Sequence, residues 1–153
     1  MSLTETTGPL RGTLTYTDNN EIVNRGVKAS TTITVGDPIS FDANGFAFVA
    51  INTSSFSDGF GMALEAADNG SGADGDISVQ VAVGNTYVNM RMGGAVPTFQ
   101  LVSVAADSDL VALVIAAIAD VNLQFGRYMG HPKEEKAPTN AVDTDIGVIR
   151  IGL

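Results

Sequence analysis

Residues 31–67 read TTITVGDPISFDANGFAFVAINTSSFSDGFGMALEAA, a series of short apolar runs separated by turn residues. Ile33 and Val35 alternate with Thr32 and Thr34 until Gly36-Asp37-Pro38 interrupts them. Ile39 and Phe41 resume the alternation, Asp42-Ala43-Asn44-Gly45 interrupts it again, and Phe46, Phe48 and Val49 follow. Successive side chains of a strand point to opposite faces. A period of two in β-branched and aromatic residues, punctuated by Gly, Pro, Asp and Asn, therefore marks strands joined by tight turns. The expected fold is all-β: a compact, jelly-roll-like sandwich or barrel of short antiparallel strands with an extended N-terminal arm.

Downstream, Gly61 to Ala67 predicts one more strand, with Met62 and Leu64 on one face and Ala63 and Glu65 on the other. Asp68 to Asp76, DNGSGADGD, reads as a loop. Ile77, Val79, Val81 and Val83 then give the cleanest alternation in the chain, and Thr86 to Met92 gives another. With Gly84-Asn85 between them, the two runs predict a hairpin. Thr98 to Ala105 predicts a further strand. Ser108 to Asp120, SDLVALVIAAIAD, fits either an all-apolar helix capped by Ser108 or two buried strands meeting at Ala116-Ala117. An all-apolar helix is hard to bury in a small β-domain, so strands are the preferred reading. Gly130 to Thr144 is polar and expected to be exposed, and Ile146, Val148, Ile149 and Ile151 form a closing strand.

Upstream, residues 1–24 are polar and Thr-rich and read as an extended arm ahead of a single β-rich domain, residues 25–153. Such an arm is either a frayed terminus or a strand donor that pairs with a neighbouring subunit's sheet edge. A faint repeat is also visible. Phe60-Gly61 followed by Asp76-Ile77-Ser78-Val79 is echoed by Phe125-Gly126 followed by Asp145-Ile146-Gly147-Val148, at offsets of 65 and 69 residues. Matches this few, at unequal spacing, carry no argument alone.

Composition narrows the function classes. A chain of 153 residues with 44% hydrophobic and 16% charged residues is the size of one folded domain. Its net charge of −9, with eight Lys and Arg in all, is the wrong sign for a nucleic-acid partner. With no Cys and one His, thiolate and His-rich metal sites are excluded. Met1 to Leu10 lacks the basic and apolar regions of a signal peptide, so export by that route is not expected. The longest apolar run, Leu110 to Ala119, is half of the roughly 20 residues that a membrane helix needs, and no membrane partner is expected.

No catalytic constellation stands out. Asp68, Asp74 and Asp76 lie in a Gly-rich loop and could offer oxygen ligands to Ca²⁺, but their spacing does not match the Ca-binding loop pattern, and a solvated hairpin loop is the preferred reading. Asp107, Asp109 and Asp120, and Asp143 and Asp145, are close only in sequence. His131 sits in a polar loop with no Cys to serve, and no Ser occupies a G-x-S-x-G elbow. No cofactor and no enzymatic activity are expected.

Five segments in order resemble one family. Arg25-Gly26-Val27-Lys28-Ala29, Ile33 to Ile39 with its Gly-Asp-Pro turn, Phe46 to Ala50, Gly59 to Ala67 and Gly75 to Val81 are similar to the capsid decoration, or cement, proteins of tailed bacteriophages and archaeal tailed viruses. The likeness spans Arg25 to Val83. Beyond Gly84 the chain departs from the shorter members by about seventy residues, which leaves the role of residues 84–153 open. The resemblance implies a virion protein, made in the host cytoplasm, that binds the outside of an icosahedral capsid and stabilises it, as a homotrimer at local threefold positions. Its partners would be the major capsid protein and itself. Leu3, Leu10, Leu14 and Tyr16 of the arm are the expected capsid or subunit contacts. The alternative is a virion-surface receptor- or glycan-binding module using the loops at Thr53 to Ser57 and Asp68 to Asp76.

Overall fold

The computed structural model describes residues 12–14, 21–54, 59–84, 86–105, 110–112, 123–130, 140–142 and 146–151. The first half of the chain contributes β1 (Gly12–Leu14), β2 (Ile22–Gly26), β3 (Thr31–Ile33), β4 (Pro38–Phe41), β5 (Ala47–Val49), β6 (Phe60–Ala63), β7 (Ala67–Asn69) and β8 (Ser78–Val83). The second half contributes β9 (Tyr87–Arg91), β10 (Leu101–Val104), β11 (Leu110–Ala112), β12 (Gly126–Gly130) and β13 (Ile146–Ile151). The molecule is all-β, with antiparallel sheets packed together as a compact sandwich.

One sheet has the order β2-β8-β6-β4-β5 and the other β1-β9-β13-β12-β10-β11, while β3 and β7 form a two-stranded ribbon. The expected β4–β5 hairpin is present, its turn closed by Asp42, whose carboxylate accepts from the amides of Asn44 and Phe46. Other expectations are corrected. The run from Gly61 to Ala67 is not one strand: β6 ends at Ala63, and Ala67 opens β7, so Asp68 and Asn69 belong to a strand paired with β3 and not to the loop. The hairpin across Gly84-Asn85 does not form. Both edges of β8 are taken, by β2 and β6, so β9 has no edge to join. The chain turns at Gly84, with φ of 69°, and enters the other sheet. Leu110–Ala112 is a strand, as preferred, and residues 113–120 lie outside the described residues. The arm boundary at residue 24 falls inside β2.

The two sheets are the same sheet built twice. Strand for strand, β2-β8-β6-β4-β5 matches β9-β13-β12-β10-β11, in the same chain order. The registers match too. Gly61 faces Val83 as Gly126 faces Ile151. Ile39 faces Gly61 and Val49 as Val102 faces Gly126 and Ala112. Val23 faces Val81 as Val88 faces Ile149. Single hydrogen bonds repeat as well, Val83 N to the Glu21 carbonyl at 2.8 Å and Ile151 N to the Thr86 carbonyl at 2.9 Å. Even the ribbon has a counterpart, since Ile33 pairs with Ala67 and Val96 bridges Ala141. The register places Ser78 opposite Ile146 in this comparison, one residue away from the offset that the sequence echo suggested; a one-residue slip in a strand exchanges its faces.

The halves pack asymmetrically. Val27, Ile33, Ile39, Ala47, Ala63, Ala67, Val79 and Val81 form the core of the first half. Their counterparts Met92, Val96, Val102, Tyr128, Ala141 and Ile149 line the second core, which also receives Phe60 and Met62 from the reverse face of β6 and Leu64 from just beyond it. β6 is therefore buried along its whole length, with the Phe60 ring 5.3 Å from that of Phe125. The positions that match buried Met62 and Ala82 hold Arg127 and Arg150, which lie opposite one another on β12 and β13.

Candidate interaction surface

Three features of the described surface are unusual enough to be candidate contacts. The first is the arm strand. β1 adds to the outer edge of β9, pairing Gly12 with Met90, Thr13 with Asn89 and Leu14 with Val88. The arm is thus a strand donor, and the edge it covers belongs to its own chain. Leu14 ends this strand; Leu3, Leu10 and Tyr16 lie outside the described residues.

The second is the outer edge of β2. Among the described residues, the strand matching β9 has no neighbour on that side from Ile22 to Arg25. Just past Gly26 the edge is closed by a parallel bridge between Val27 and Ala47 that draws β2 and β5 together, and the Phe46 ring lies where a Gly26 side chain would project. Ile22 keeps 45% of its surface exposed there.

The third is Phe99, which sequence patterning missed. It is 52% exposed and has φ of +64°, a region that a bulky side chain adopts only under constraint. The constraint is visible. Phe99 N donates to the Tyr128 carbonyl at 2.8 Å, the Phe99 carbonyl accepts from Arg127 Nη1 at 2.6 Å, and Gln100 N closes the turn onto the Pro97 carbonyl at 3.1 Å. An exposed ring held on a strained turn fits a contact residue. The only hint in the sequence is a Pro-x-Phe turn without a glycine.

The acidic loop is built differently from a metal site. Buried Asn69 directs its amide at the carbonyls of Val27, Lys28 and Ala73. Around it each carboxylate caps a separate backbone amide: Asp68 that of Gly70, Asp74 that of Ala29 and Asp76 that of Ala73. Asp68 also accepts from the Thr32 hydroxyl. Among the described residues no three His, Cys, Asp or Glu side chains come together as a metal site would require. The loop is rigid by hydrogen bonding, and its carboxylates hold backbone.

The other candidates fall mostly outside the described residues, namely His131, Asp107, Asp109, Asp120, Asp143, Asp145 and residues 55–58 of the Ser-rich loop. Ser54, at the start of that loop, is buried and accepts from the Ile51 amide. No helix among the described residues is long and apolar enough to cross a membrane. No protein family and no curated protein matches the chain.

Proposed function

We propose that the chain is a structural virion protein that binds the outer surface of an icosahedral capsid and stabilises it. It acts as a homotrimer at local threefold positions, with the major capsid protein as its other partner. The observation that carries this reading is the coincidence of a resemblance with a structural unit. The segments from Arg25 to Val83 that resemble decoration proteins make up the sheet β2-β8-β6-β4-β5 and its ribbon. The residues beyond Gly84, without counterpart in the shorter members, build that sheet a second time. An enlarged chain of this kind keeps one architecture and doubles the surface it offers to a lattice.

The reading assigns no catalysis. Adhesion comes from main-chain pairing at strand edges and from apolar contacts, and closed symmetry uses the same patch once per subunit. The test is co-sedimentation of the purified chain with undecorated capsids of its virus, together with its solution mass by light scattering. The expected results are saturable binding and a mass of three 15.8 kDa chains. A chain that stays in the supernatant at every concentration overturns the proposal.

A further inference from the structure

Among the described residues no strand covers the outer edge of β2, and this edge matches in register the edge of β9 that already holds a strand. We infer that β2 is a strand-acceptor site for the N-terminal arm of a second copy of this chain, with Gly12, Thr13 and Leu14 of that copy opposite Arg25, Asn24 and Val23.

The register argument is specific. Val83 N donates to the Glu21 carbonyl, so Glu21, Val23 and Arg25 direct their main-chain groups toward β8, and Ile22 and Asn24 direct theirs outward. In the other half, Ile151 N donates to the Thr86 carbonyl, so Asn89 is the outward residue, and Asn89 is the one that Thr13 faces. Asn24 and Asn89 are counterparts, within the similar strands Ile22-Val23-Asn24-Arg25-Gly26 and Tyr87-Val88-Asn89-Met90-Arg91. The lengths agree as well. The open edge ends where the Val27–Ala47 bridge draws β2 to β5, which leaves room for the three pairings that Gly12, Thr13 and Leu14 make on β9.

Each chain carries two equivalent acceptor edges and one arm. An arm passing from β9 of its own chain to β2 of a neighbour exchanges one three-residue pairing for another, the low-cost arrangement of strand exchange. The incoming strand would end beside Ile22, which is exposed, and displace the Arg25 guanidinium from the Asn24 carbonyl, to which it donates at 3.2 Å. An open, partly apolar edge is otherwise an aggregation hazard.

The chain has no cysteine, so introduced thiols report cleanly. Thr13→Cys chains are mixed with Asn24→Cys chains and treated with a short thiol-to-thiol cross-linker. The expected main product joins one chain of each kind. Products in the proportions of random collision overturn the proposal. A second measurement needs no variant: a peptide of residues 9–17 is titrated into the isotope-labelled full chain. The expected result is shifts at the amides of Ile22 and Asn24, and binding weakened by about tenfold or more in Asn24→Pro, which lacks the outward N–H. Shifts confined to Tyr87, Asn89 and Arg91, or none, overturn it. The site does not depend on attachment to a shell, so a chain that fails here and still sediments with capsids leaves the proposed function standing.

Discussion

Gly36 and Phe99 occupy the same position of the same turn, one in each half of the molecule. Gly36 N donates to the Ala63 carbonyl and Phe99 N to the Tyr128 carbonyl, both at 2.8 Å; Asp37 N closes onto Thr34 and Gln100 N onto Pro97, both at 3.1 Å. Both residues have positive φ, 85° and 64°. Glycine adopts this conformation without strain and phenylalanine does not. Replacing Phe99 with the residue its counterpart carries should therefore stabilise the protein. Phe99→Gly is expected to raise the unfolding free energy by about 1 kcal/mol in urea, the strain released less the added freedom of glycine in the unfolded chain. If Phe99 is a contact, the same variant binds capsids more weakly, so stability and binding move in opposite directions.

Gly61 and Gly126 form a second matched pair. A Cβ on Gly61 would meet the Ala82 carbonyl oxygen at 2.6 Å, and one on Gly126 would meet the Arg150 carbonyl, its counterpart. Neither backbone can move without disturbing the next strand. Gly61→Ala and Gly126→Ala are each expected to cost roughly 2 kcal/mol or more, by denaturant midpoint at unchanged slope. A neutral effect at either site would mean that the two sheets are less alike than their registers state.

Asn69 is the keystone of the acidic loop. Asn69→Asp keeps the shape and turns the amide donor into a carboxylate aimed at three carbonyls. A loss of about 3 kcal/mol is expected, with the ordering of Gly70 to Asp76 lost first in amide exchange. Asp74→Asn retains an acceptor for the Ala29 amide and should cost far less.

The cores of the halves differ by a compensating exchange of volume. Ala63 and Val79 in the first correspond to Tyr128 and Gly147 in the second, and a Cβ on Gly147 would meet the Tyr128 ring at 2.7 Å and Met92 Sδ at 2.9 Å. Gly147→Val alone should overpack this core, and Tyr128→Ala alone should leave a cavity. Each is expected to cost about 2–4 kcal/mol, and the double variant less than their sum by about 1 kcal/mol or more in a thermodynamic cycle. Strict additivity would contradict the contact.

How much of this was legible in the sequence depends on the range of the interaction. The strand character of Ile39, Phe41, Val79 and Val81 follows from local alternation, and the Asp42–Gly45 turn from its own residues. The partner of each strand does not. Nothing local in Val83-Gly84-Asn85-Thr86 says that both edges of β8 are occupied, and that occupancy sends the chain across to the second sheet. The structural repeat is visible in sequence at Phe60-Gly61 and Phe125-Gly126 because close backbone approach requires glycine at that place in both sheets. Elsewhere the halves differ in sequence while their registers agree. Of the candidate contacts, the arm reads in sequence as either a frayed terminus or a strand donor to a neighbouring subunit, and the described part of it pairs within its own chain. The β2 edge and Phe99 were not legible, since one is an absence of pairing and the other a backbone angle.

The exchange of Met62 and Ala82 for Arg127 and Arg150 sets how far such units can pile up. A face carrying Met and Ala seats itself on the sheet above it. The same face carrying two guanidinium groups opposite one another is a poor seat for a further apolar sheet, since burying them would strip their hydration. This face of β12 and β13 therefore lacks the apolar seat that Met62 and Ala82 give the first sheet, as the polar end cap of a repeat protein does. Two sheets with the same outer face could each seat another; the pair of arginines makes the second sheet the poorer seat.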